Sequence, residues 1–329
     1  MPDKIVRVAL IGGGGWGKEH ARVFSGRTDV DFCAIVGHDA AKTQERAARL
    51  KVRGYLDIGE MLEKEQPDLV SLALPNLTRF PPTLQVIQAG FPLIVEKPLA
   101  FDLDEAEQLL QAAASRNLFF AIVFNHRYGR PVQMAHQAIA DGRLGDITFS
   151  LWRFGGEWIP DHPYMTLIES FCHGFDILEY LCGPIASVMC EMTDKTGHGF
   201  RSVTVGLKFS NGAVGNLIGG YDSSFTYKQT QFLEVNGTRG RILVEDTVQK
   251  FSFQAVGEET RTVWEAGYFN DYSRSFHATL DTYMDVTLES FKRGEPPPVH
   301  ARCGQRALQL AKAAIRSHEL GQRIVLPLP

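Results

Sequence analysis

A length of 329 residues favours two domains, because the chain is too long for one ordinary domain. Hydrophobic residues make up 44% of the chain and charged residues 22%, which is typical of a globular protein, and the net charge of -4 argues against nucleic acid as a partner. No apolar run approaches the roughly 18 residues that cross a bilayer, and the N-terminus lacks the features of a secretory signal, so we expect a cytoplasmic protein without a membrane partner. The five cysteines are scattered, and no C-x-x-C or H-E-x-x-H spacing occurs, so the sequence predicts neither a disulfide framework nor a metal site.

The first predicted element is an apolar strand that breaks into glycines. The strand covers residues 5–11, and a helical pattern begins near Trp16. Between them Gly12, Gly14 and Gly17 keep the spacing G-x-G-x-x-G, in which the first glycine permits the turn, the second lets a pyrophosphate approach and the third lets helix and strand pack closely. The stretch therefore predicts binding of NAD or NADP. The candidate cofactor contacts in this turn are Gly12, Gly14, Gly15, Trp16 and Gly17.

The end of the second strand, predicted over 31–36, should meet the adenosine ribose, because an acidic residue is expected there about 20 residues after the glycines. Asp39 could accept hydrogen bonds from the two ribose hydroxyls, which would favour NAD. His38 and Lys42 could instead meet the 2′-phosphate of NADP. The sequence leaves both cofactors open, and Asp39 is also a good N-cap for the helix predicted over 43–50.

Polar residues follow two further buried strands, predicted over 69–74 and 91–95. They are Pro75 and Asn76 after the first strand, and Glu96, Lys97 and Pro98 after the second. Ligands of parallel α/β sheets bind at the carboxyl ends of the strands, so we expect these residues at the cofactor. A residue before proline is held extended, which keeps Lys97 at this edge; a solvated surface charge is the plain alternative for it.

Strands and helices alternate up to the strand predicted over 118–124. This alternation predicts a doubly wound parallel sheet with helices on both faces, and we assign residues 1–126 to an NAD(P)-binding Rossmann domain. Residues 127–329 are predicted to form a substrate-binding and oligomerisation α+β domain. Its alternating strands and the hairpin signals Asn211-Gly212 and Asn236-Gly237 predict an open, mostly antiparallel sheet with helices on one face. The other face needs a cover, so we expect a homodimer or homotetramer through this sheet.

Hydride transfer from an alcohol carbon needs a base for the hydroxyl proton and a group that stabilises the developing oxyanion. The helix predicted over 167–181 carries Glu169, His173 and Asp176, whose spacing of four and three places them on one helical face. His173 is the candidate base, because imidazole exchanges protons near neutral pH, and one of the two carboxylates should orient its ring. Spacing does not decide which, and the same face also fits the polar rim of an amphipathic helix. Lys97 is the candidate donor to the reacting oxygen.

Five short motifs follow one another along the chain: the glycine turn 12–17, Pro75-Asn76, Glu96-Lys97-Pro98, Asn125-His126-Arg127-Tyr128, and the stretch from Glu169 to Asp176. In this order they resemble the signature of the glucose–fructose oxidoreductase/inositol dehydrogenase/MocA (Gfo/Idh/MocA) family over essentially the whole chain. The resemblance implies a Rossmann domain followed by an α/β domain with an open antiparallel sheet. It also implies NAD(P)-dependent oxidation or reduction of sugars, cyclitols or related polyols, commonly by dimers or tetramers.

Carried over by position, Lys97 matches the family's catalytic lysine and His173 its catalytic histidine. Glu169 stands where many members have aspartate, which keeps a carboxylate with a longer reach. Arg79 stands where the Pro-Asn segment often has histidine, and Gly37 where NAD-preferring members often have aspartate. The candidate cofactor contacts outside the glycine turn are His38, Asp39, Lys42, Pro75, Asn76, Glu96, Lys97 and Arg127. The candidate substrate contacts are Lys97, Arg127, Tyr128, Arg153, Trp158, His162, Glu169 and His173.

The expected function is therefore that of an NAD(P)-dependent dehydrogenase or reductase that acts on a sugar, a cyclitol or a related polyol. Two alternatives stay open. One is an NAD-dependent glycosidase, in which oxidation of a sugar carbon is transient and the net reaction is hydrolysis. The other is a nucleotide-binding sensor or scaffold without catalysis.

Overall fold

The chain forms two compact units. The computed structural model describes residues 5–157, 162–267, 269, 272 and 275–327. The first unit ends at Val123 and takes in the later segment Leu280–Gln305, whereas the second consists of Phe124–Thr279 and the chain from Arg306 onward. No helix within the described ranges has the length and apolar character needed to cross a membrane.

A parallel sheet forms the centre of the first unit. Its six strands within the described residues are β1 (Val6–Ile11), β2 (Val30–Val36), β3 (Arg53–Tyr55), β4 (Leu69–Leu72), β5 (Leu93–Glu96) and β6 (Phe120–Val123). Every neighbouring pair is parallel, in the order β3-β2-β1-β4-β5-β6. All residues of β4, β5 and β6 are buried, as expected for strands covered on both faces. The predicted doubly wound sheet is confirmed, and its order reverses between β1 and β4, where such sheets bind ligands.

Helices make the connections between these strands. They are α1 (Trp16–Ser25), α2 (Ala40–Leu50), α3 (Ile58–Glu65), α4 (Phe80–Gln88) and α5 (Leu103–Ala114). In α1 the buried side chains recur at helical spacing, at His20, Ala21, Val23 and Phe24. A histidine therefore lies on the apolar face of the first helix, close in sequence to the glycine turn.

A mixed sheet forms the second unit. Its nine strands in the part of the chain that the structure describes are β7 (Ile147–Gly155), β8 (Ile185–Thr193), β9 (Ser202–Phe209), β10 (Val214–Gly220), β11 (Gln231–Gly237), β12 (Gly240–Glu245), β13 (Lys250–Ala255), β14 (Thr262–Glu265) and β15 (Ile324–Val325). Their order is β14-β13-β12-β11-β7-β10-β9-β8-β15, and only β7 and β10 pair in parallel among these strands. The predicted α+β unit with a mostly antiparallel sheet is confirmed.

The two faces of this sheet differ. The helices before and after β7 are α6 (Arg130–Ala140) and α7 (Phe171–Cys182), and a π-helical turn, Thr166–Ser170, leads into α7. The Trp152 ring of β7 is fully buried and lies 5.5 Å from the Phe171 ring of α7, edge to face. Side chains alternate along a strand, so the opposite face carries Phe149 of β7 with Val214 and Ile218 of β10, which are 42–49% exposed. One face of the sheet packs against α7, and the other presents apolar side chains to solvent.

The last two helices are divided between the units, the first lying mostly in the first unit and the second mostly in the second unit. They are α8 (Ala278–Lys292) and α9 (Arg302–Leu320). The prediction places all of 127–329 in the second domain, whereas the structure groups Leu280–Gln305 with the first unit. Charge pairs explain the difference, since α8 carries the partners of three basic and acidic residues from the first part of the chain. The pairs are Arg22 with Asp281 at 3.0 Å, Arg27 with Asp285, and Asp29 with Lys292.

Candidate active site

The glycine turn after β1 has the shape that a pyrophosphate requires. Gly12 has a φ of +97°, and an added Cβ would collide with the carbonyl oxygen of Ala73, while a Cβ at Gly17 would collide with that of Gly12. Gly14 is different, because a Cβ there would meet nothing within 4 Å. The next residue, Gly15, begins α1 as an N-cap that supplies no side-chain hydrogen bond. The turn therefore leaves open space over its backbone at a helix N-terminus, which fits a bound phosphate.

Asp39 caps α2 at the end of β2. Its carboxylate accepts a hydrogen bond from the backbone N–H of Lys42 at 3.0 Å, and the Lys42 Nζ lies 3.4 Å from the second oxygen. The backbone hydrogen bond is the main cause that holds the pKa of Asp39 below its ordinary value. A side chain at Gly37 would collide with Thr43 Oγ1. The carboxylate after β2 is therefore that of Asp39, two residues further along the chain. The capping role that the sequence left open for Asp39 is present, and it keeps an ionised carboxylate beside His38.

Arg79 connects the ends of two neighbouring strands. Its side chain is 2% exposed, and Nη2 donates hydrogen bonds to the carbonyl oxygen of Leu74 at 2.7 Å and to Asn76 Oδ1 at 3.1 Å. Nη1 donates to the carbonyl oxygens of Glu96, at 2.6 Å, and Pro98. One guanidinium group thus holds both predicted polar segments, the one after β4 and the one after β5.

Lys97 lies in this buried network, at 9% exposure, so the alternative of a solvated surface charge is wrong. Its backbone N–H donates to Glu96 Oε2 at 3.1 Å, and Glu96 Oε1 lies 3.0 Å from His20 Nε2. The other ring nitrogen of His20 lies 2.8 Å from Ser71 Oγ, and all three side chains are buried. The predicted cofactor residue Glu96 therefore has protein partners on both of its oxygens.

The second unit holds Glu169, His173 and Asp176, but they do not share one α-helical face. Glu169 lies in the π-helical turn Thr166–Ser170, and α7 begins only at Phe171, so the spacing of four that we assumed from an α-helix does not apply. Glu169 Oε2 accepts hydrogen bonds from the hydroxyl groups of Tyr221 and Ser170, both at 2.8 Å. Burial, and then the neighbouring Glu169 carboxylate, raise the pKa of Tyr221 well above its ordinary value.

Asp176 is paired with Arg127. The guanidinium Nε and Nη2 donate to the two carboxylate oxygens at 2.7 and 2.5 Å, in the bidentate geometry that arginine and carboxylate groups prefer. The Asp176 and Arg127 side chains are only 3% and 15% exposed, and the Arg127 guanidinium also lies 4.7 Å from the centre of the Tyr180 ring. Arg127, a predicted contact for cofactor and substrate, is thus bound to the second candidate carboxylate.

His173 packs in a group of rings. Its imidazole stacks on that of His126 with 4.1 Å between ring centres and 25° between planes, and the Phe124 ring lies edge-on at 5.7 Å. His126 in turn lies 5.0 Å from the Phe276 ring, and its Nδ1 lies 3.5 Å from Thr247 Oγ1. The side chain of His173 is therefore held by aromatic contacts, and its residue is 8% exposed.

The remaining predicted substrate contacts are Arg153, His162, Tyr128 and Trp158. Arg153 follows Trp152 on β7 and so points to the sheet face opposite α7, where it donates to the carbonyl oxygen of Gln229 at 2.9 Å; its role as a substrate contact stays a prediction. His162 Nδ1 accepts the N–H of Tyr164 at 3.1 Å, and burial lowers its pKa. Tyr128 is half-buried in the short helix Asn125–Tyr128. Trp158 lies outside the residues that the structure describes.

Sequence reasoning missed His20, Ser71 and Tyr221, and it assigned no role to His126. The first three belong to no motif, and their hydrogen bonds join residues 51 to 76 positions apart. Only His20 gives a usable signal, since a histidine on an otherwise apolar helix face needs buried partners.

Comparison with known proteins covers both units. A family model described as the oxidoreductase family with an NAD-binding Rossmann fold matches residues 6–124, and its C-terminal alpha/beta domain matches residues 123–326. Myo-inositol 2-dehydrogenase of Thermotoga maritima is 24% identical over 95% of this chain and 96% of its own length. Inositol 2-dehydrogenase of Rhizobium meliloti is 23% identical, again over 95% of this chain and 96% of its own.

Solved structures share the whole fold. A levoglucosan dehydrogenase in complex with NADH has a TM-score of 0.89 at 18% identity, and the match covers 98% of this chain and 99% of that chain. The WlbA dehydrogenase of Bordetella pertussis, in complex with NADH and UDP-GlcNAcA, has a TM-score of 0.83 at 20% identity over both full lengths. Two matched domain models, two relatives of full length and the shared fold agree with the order of motifs, and the chain belongs to the Gfo/Idh/MocA family of oxidoreductases, with an NAD-binding Rossmann domain.

Proposed function

We propose that this protein is a dehydrogenase or reductase that transfers a hydride between NAD(P) and a CH–OH carbon of a sugar, a cyclitol or a related polyol. The observation that carries the proposal is Lys97, a buried lysine directly after β5 of an NAD-binding Rossmann sheet. A cation held at the ligand-binding edge of such a sheet stabilises negative charge on a reacting oxygen. The relatives named for inositol and the structure named for levoglucosan support a polyol or anhydrosugar as the substrate class.

His173 and Lys97 act on the same hydroxyl group of the substrate in this proposal. In the oxidative direction the His173 imidazole accepts the hydroxyl proton. Lys97 Nζ donates a hydrogen bond to the same oxygen as it gains negative charge. The bound nicotinamide ring supplies the acceptor for the hydride. In the reductive direction the imidazolium of His173 returns the proton to the oxygen.

Glu169 is the carboxylate that we assign to the orientation of His173. Both oxygens of Asp176 are bound by the Arg127 fork, which commits that carboxylate to an ion pair. The hydrogen bonds from Tyr221 and Ser170 both go to Glu169 Oε2. The Glu169 carboxylate is half-buried and accepts from two neutral hydroxyl groups, and we assign to it the imidazole that gains charge during turnover.

Three segments of the first unit are assigned to the cofactor. The open space over Gly14 takes the pyrophosphate, and the end of β2 with His38, Asp39 and Lys42 takes the adenosine ribose. Pro75 and Asn76, after β4, lie on the segment that we assign to the nicotinamide side. Asp39 as an acceptor for the ribose hydroxyls would favour NAD, whereas contacts of His38 and Lys42 with a 2′-phosphate would favour NADP. The two cofactors are therefore tested in parallel.

The experiment is a spectrophotometric screen of the purified protein. Inositols, sugars, anhydrosugars and their keto forms are offered with NAD, NADP, NADH and NADPH, and the absorbance of reduced nicotinamide is followed. Steady turnover with a polyol or its keto form supports the proposal. Hydrolysis of a glycoside with tightly bound NAD and without net formation of NADH would identify a glycosidase instead, and binding of NADH without turnover across the panel would identify a sensor or scaffold.

Self-association through the open face of the nine-stranded sheet is also proposed. Phe149, Val214 and Ile218 lie side by side on β7 and β10 and are each more than two-fifths exposed, which is costly for a face that meets only water. A second copy of the chain would cover this face with the same residues. Light scattering should therefore give at least a dimer, and Ile218→Lys should shift the mass toward that of one chain. Lys64→Ala, at an exposed position on α3 of the first unit, serves as the control.

A further inference from the structure

The guanidinium group of Arg79 binds the main chain on both sides of Lys97, and we call this set of hydrogen bonds the bracket. Its Nη1 donates to the carbonyl oxygens of Glu96 and Pro98, the residues on either side of Lys97. Its Nη2 reaches the segment after β4, through the carbonyl oxygen of Leu74 and the side chain of Asn76. The main chain around Lys97 is thus bound to the neighbouring strand end by one side chain.

The lysine N–H is held separately. It donates to the Glu96 carboxylate, which His20 holds from the other side at 3.0 Å. Two independent contacts, the guanidinium on the flanking carbonyls and the carboxylate on the amide, therefore fix the backbone from which the Lys97 side chain extends.

Arginine is suited to this place by its shape and charge. Its planar group has five donors in a fixed fork and stays protonated at any working pH, whereas lysine has three donors on one atom and neutral histidine has one. The four acceptors described above lie on two segments, one after β4 and one after β5, so they need donors that point in different directions. Because the group is 2% exposed, acceptors that lose their donor cannot turn to water instead.

We propose that Arg79 is a positioning residue that sets the place of the Lys97 ammonium relative to the segment after β4. This inference rests on the proposed function, because it holds that the hydrogen bonds of Arg79 affect kcat through Lys97. A displacement of about 1 Å in a catalytic group lowers turnover by up to roughly 10²-fold, so loss of the bracket should lower kcat. The open space at Gly14 lies in the turn between β1 and α1, outside the segments that Arg79 binds, so the proposed pyrophosphate site should persist. Any loss of NADH affinity should then come from the segment of Pro75 and Asn76 and should be smaller than the loss of kcat.

Hydrogen exchange measured by mass spectrometry tests the bracket without any substrate. In Arg79→Lys, the amide hydrogens of the segments 72–78 and 94–101 should exchange at least about tenfold faster, while segments of the second unit keep their rates. Arg116→Lys, at an exposed position after α5, is the matched control and should change neither segment. Unchanged exchange in 94–101 of the Arg79→Lys protein would overturn the proposal.

A double-variant cycle tests the route through Lys97, with the substrate found by the screen. If Arg79 acts through Lys97, the double variant R79K/K97M should have the same kcat as K97M, because the group that Arg79 positions is already gone. A double variant that is slower than K97M by the full R79K factor would contradict this route. If Arg79→Lys does not fold, Arg79→Ala with added guanidinium at millimolar concentration replaces it, and recovery of kcat is expected. Wild-type turnover in K97M would instead refute the proposed function.

Discussion

The two groups proposed for catalysis are held in opposite ways. Around Lys97, polar groups contact the main chain: Arg79 binds the flanking carbonyl oxygens, and the Glu96 carboxylate binds the amide. Around His173, rings contact the side chain: the His126 imidazole stacks on it at 4.1 Å, and the Phe124 ring meets it edge-on.

The difference follows from where each residue lies. Lys97 stands where a buried parallel strand ends, and the backbone groups there have left the sheet ladder and need other partners. His173 lies inside a helix whose backbone groups are already bonded, so only its side chain can be positioned from outside. A strand-end residue is therefore sensitive to lost hydrogen bonds, and a helix residue to lost packing.

The largest effect is expected from breaking the ion pair beside the His173 group. Asp176→Asn leaves the buried Arg127 guanidinium without its charged partner, which should lower the free energy of unfolding of the second unit by about 3–5 kcal/mol. Chemical denaturation followed by tryptophan fluorescence, to which the buried Trp152 contributes, measures the loss.

Glu169→Gln is the matched variant for this comparison. Glu169 is half-buried and bound by neutral hydroxyl groups, so its amide should cost less stability but should lower kcat, because Glu169 is the proposed partner of His173. If Asp176→Asn lowers the kcat of the folded protein more than Glu169→Gln does, the two carboxylates have been assigned the wrong way round.

Removal of the Lys97 ammonium should lower kcat by roughly 10²-fold or more, since a well-placed donor to a developing oxyanion contributes about that much. Lys97→Met removes the charge and keeps an unbranched side chain of similar length. Initial rates at saturating cofactor and substrate measure the change in kcat. Lys64→Met, at an exposed position on α3, is the control and should keep wild-type turnover. Equal rates for the two variants would show that the reaction does not use Lys97.

Loss of the ring stack is expected to have a smaller effect. His126→Ala should lower kcat about threefold to tenfold, in line with the energy of one aromatic contact, and His126→Phe should restore most of it because a ring remains. Titration with NADH provides the control, since cofactor affinity should not change. A His126→Phe protein as slow as His126→Ala would mean that the imidazole of His126, rather than its shape, matters.

The fold could be predicted where one local pattern dominates. Continuous apolar strands and the glycine spacing gave the parallel sheet, and Asn211-Gly212 is the turn between β9 and β10. Asn236-Gly237 lies in a real hairpin but not at its turn, because Asn236 pairs with Arg241 and the backbone at Gly237 passes close to Leu144. Short elements such as β3, with three residues, show too little periodicity to be recognised.

The sequence allowed the candidate residues of the site to be proposed, but it did not predict their surroundings. Lys97 and His173 stand in motifs, whereas the contacts of Arg79 and Tyr221 depend on chain segments that meet only in the folded units. The π-helical turn at Glu169 shows a second limit. Residue spacing predicts a shared face only when the turn size is known, and one wide turn removes that relation.

Tyr221 gives the smallest expected effect and the sharpest test of the Glu169 surroundings. Because burial and the adjacent carboxylate raise its pKa above the ordinary value of about 10, its hydroxyl group stays protonated and keeps donating to Glu169 at every pH below that value. Tyr221→Phe should therefore cost about 1 kcal/mol of stability, the net worth of one hydrogen bond, measured by chemical denaturation. It should leave the alkaline side of the kcat profile unchanged up to about pH 10, because no Tyr221 ionisation contributes to it. A shifted alkaline side in the variant would mean that Tyr221 loses its proton in the working range, and that the protein holds this phenol in a more polar place than its 5% exposure indicates.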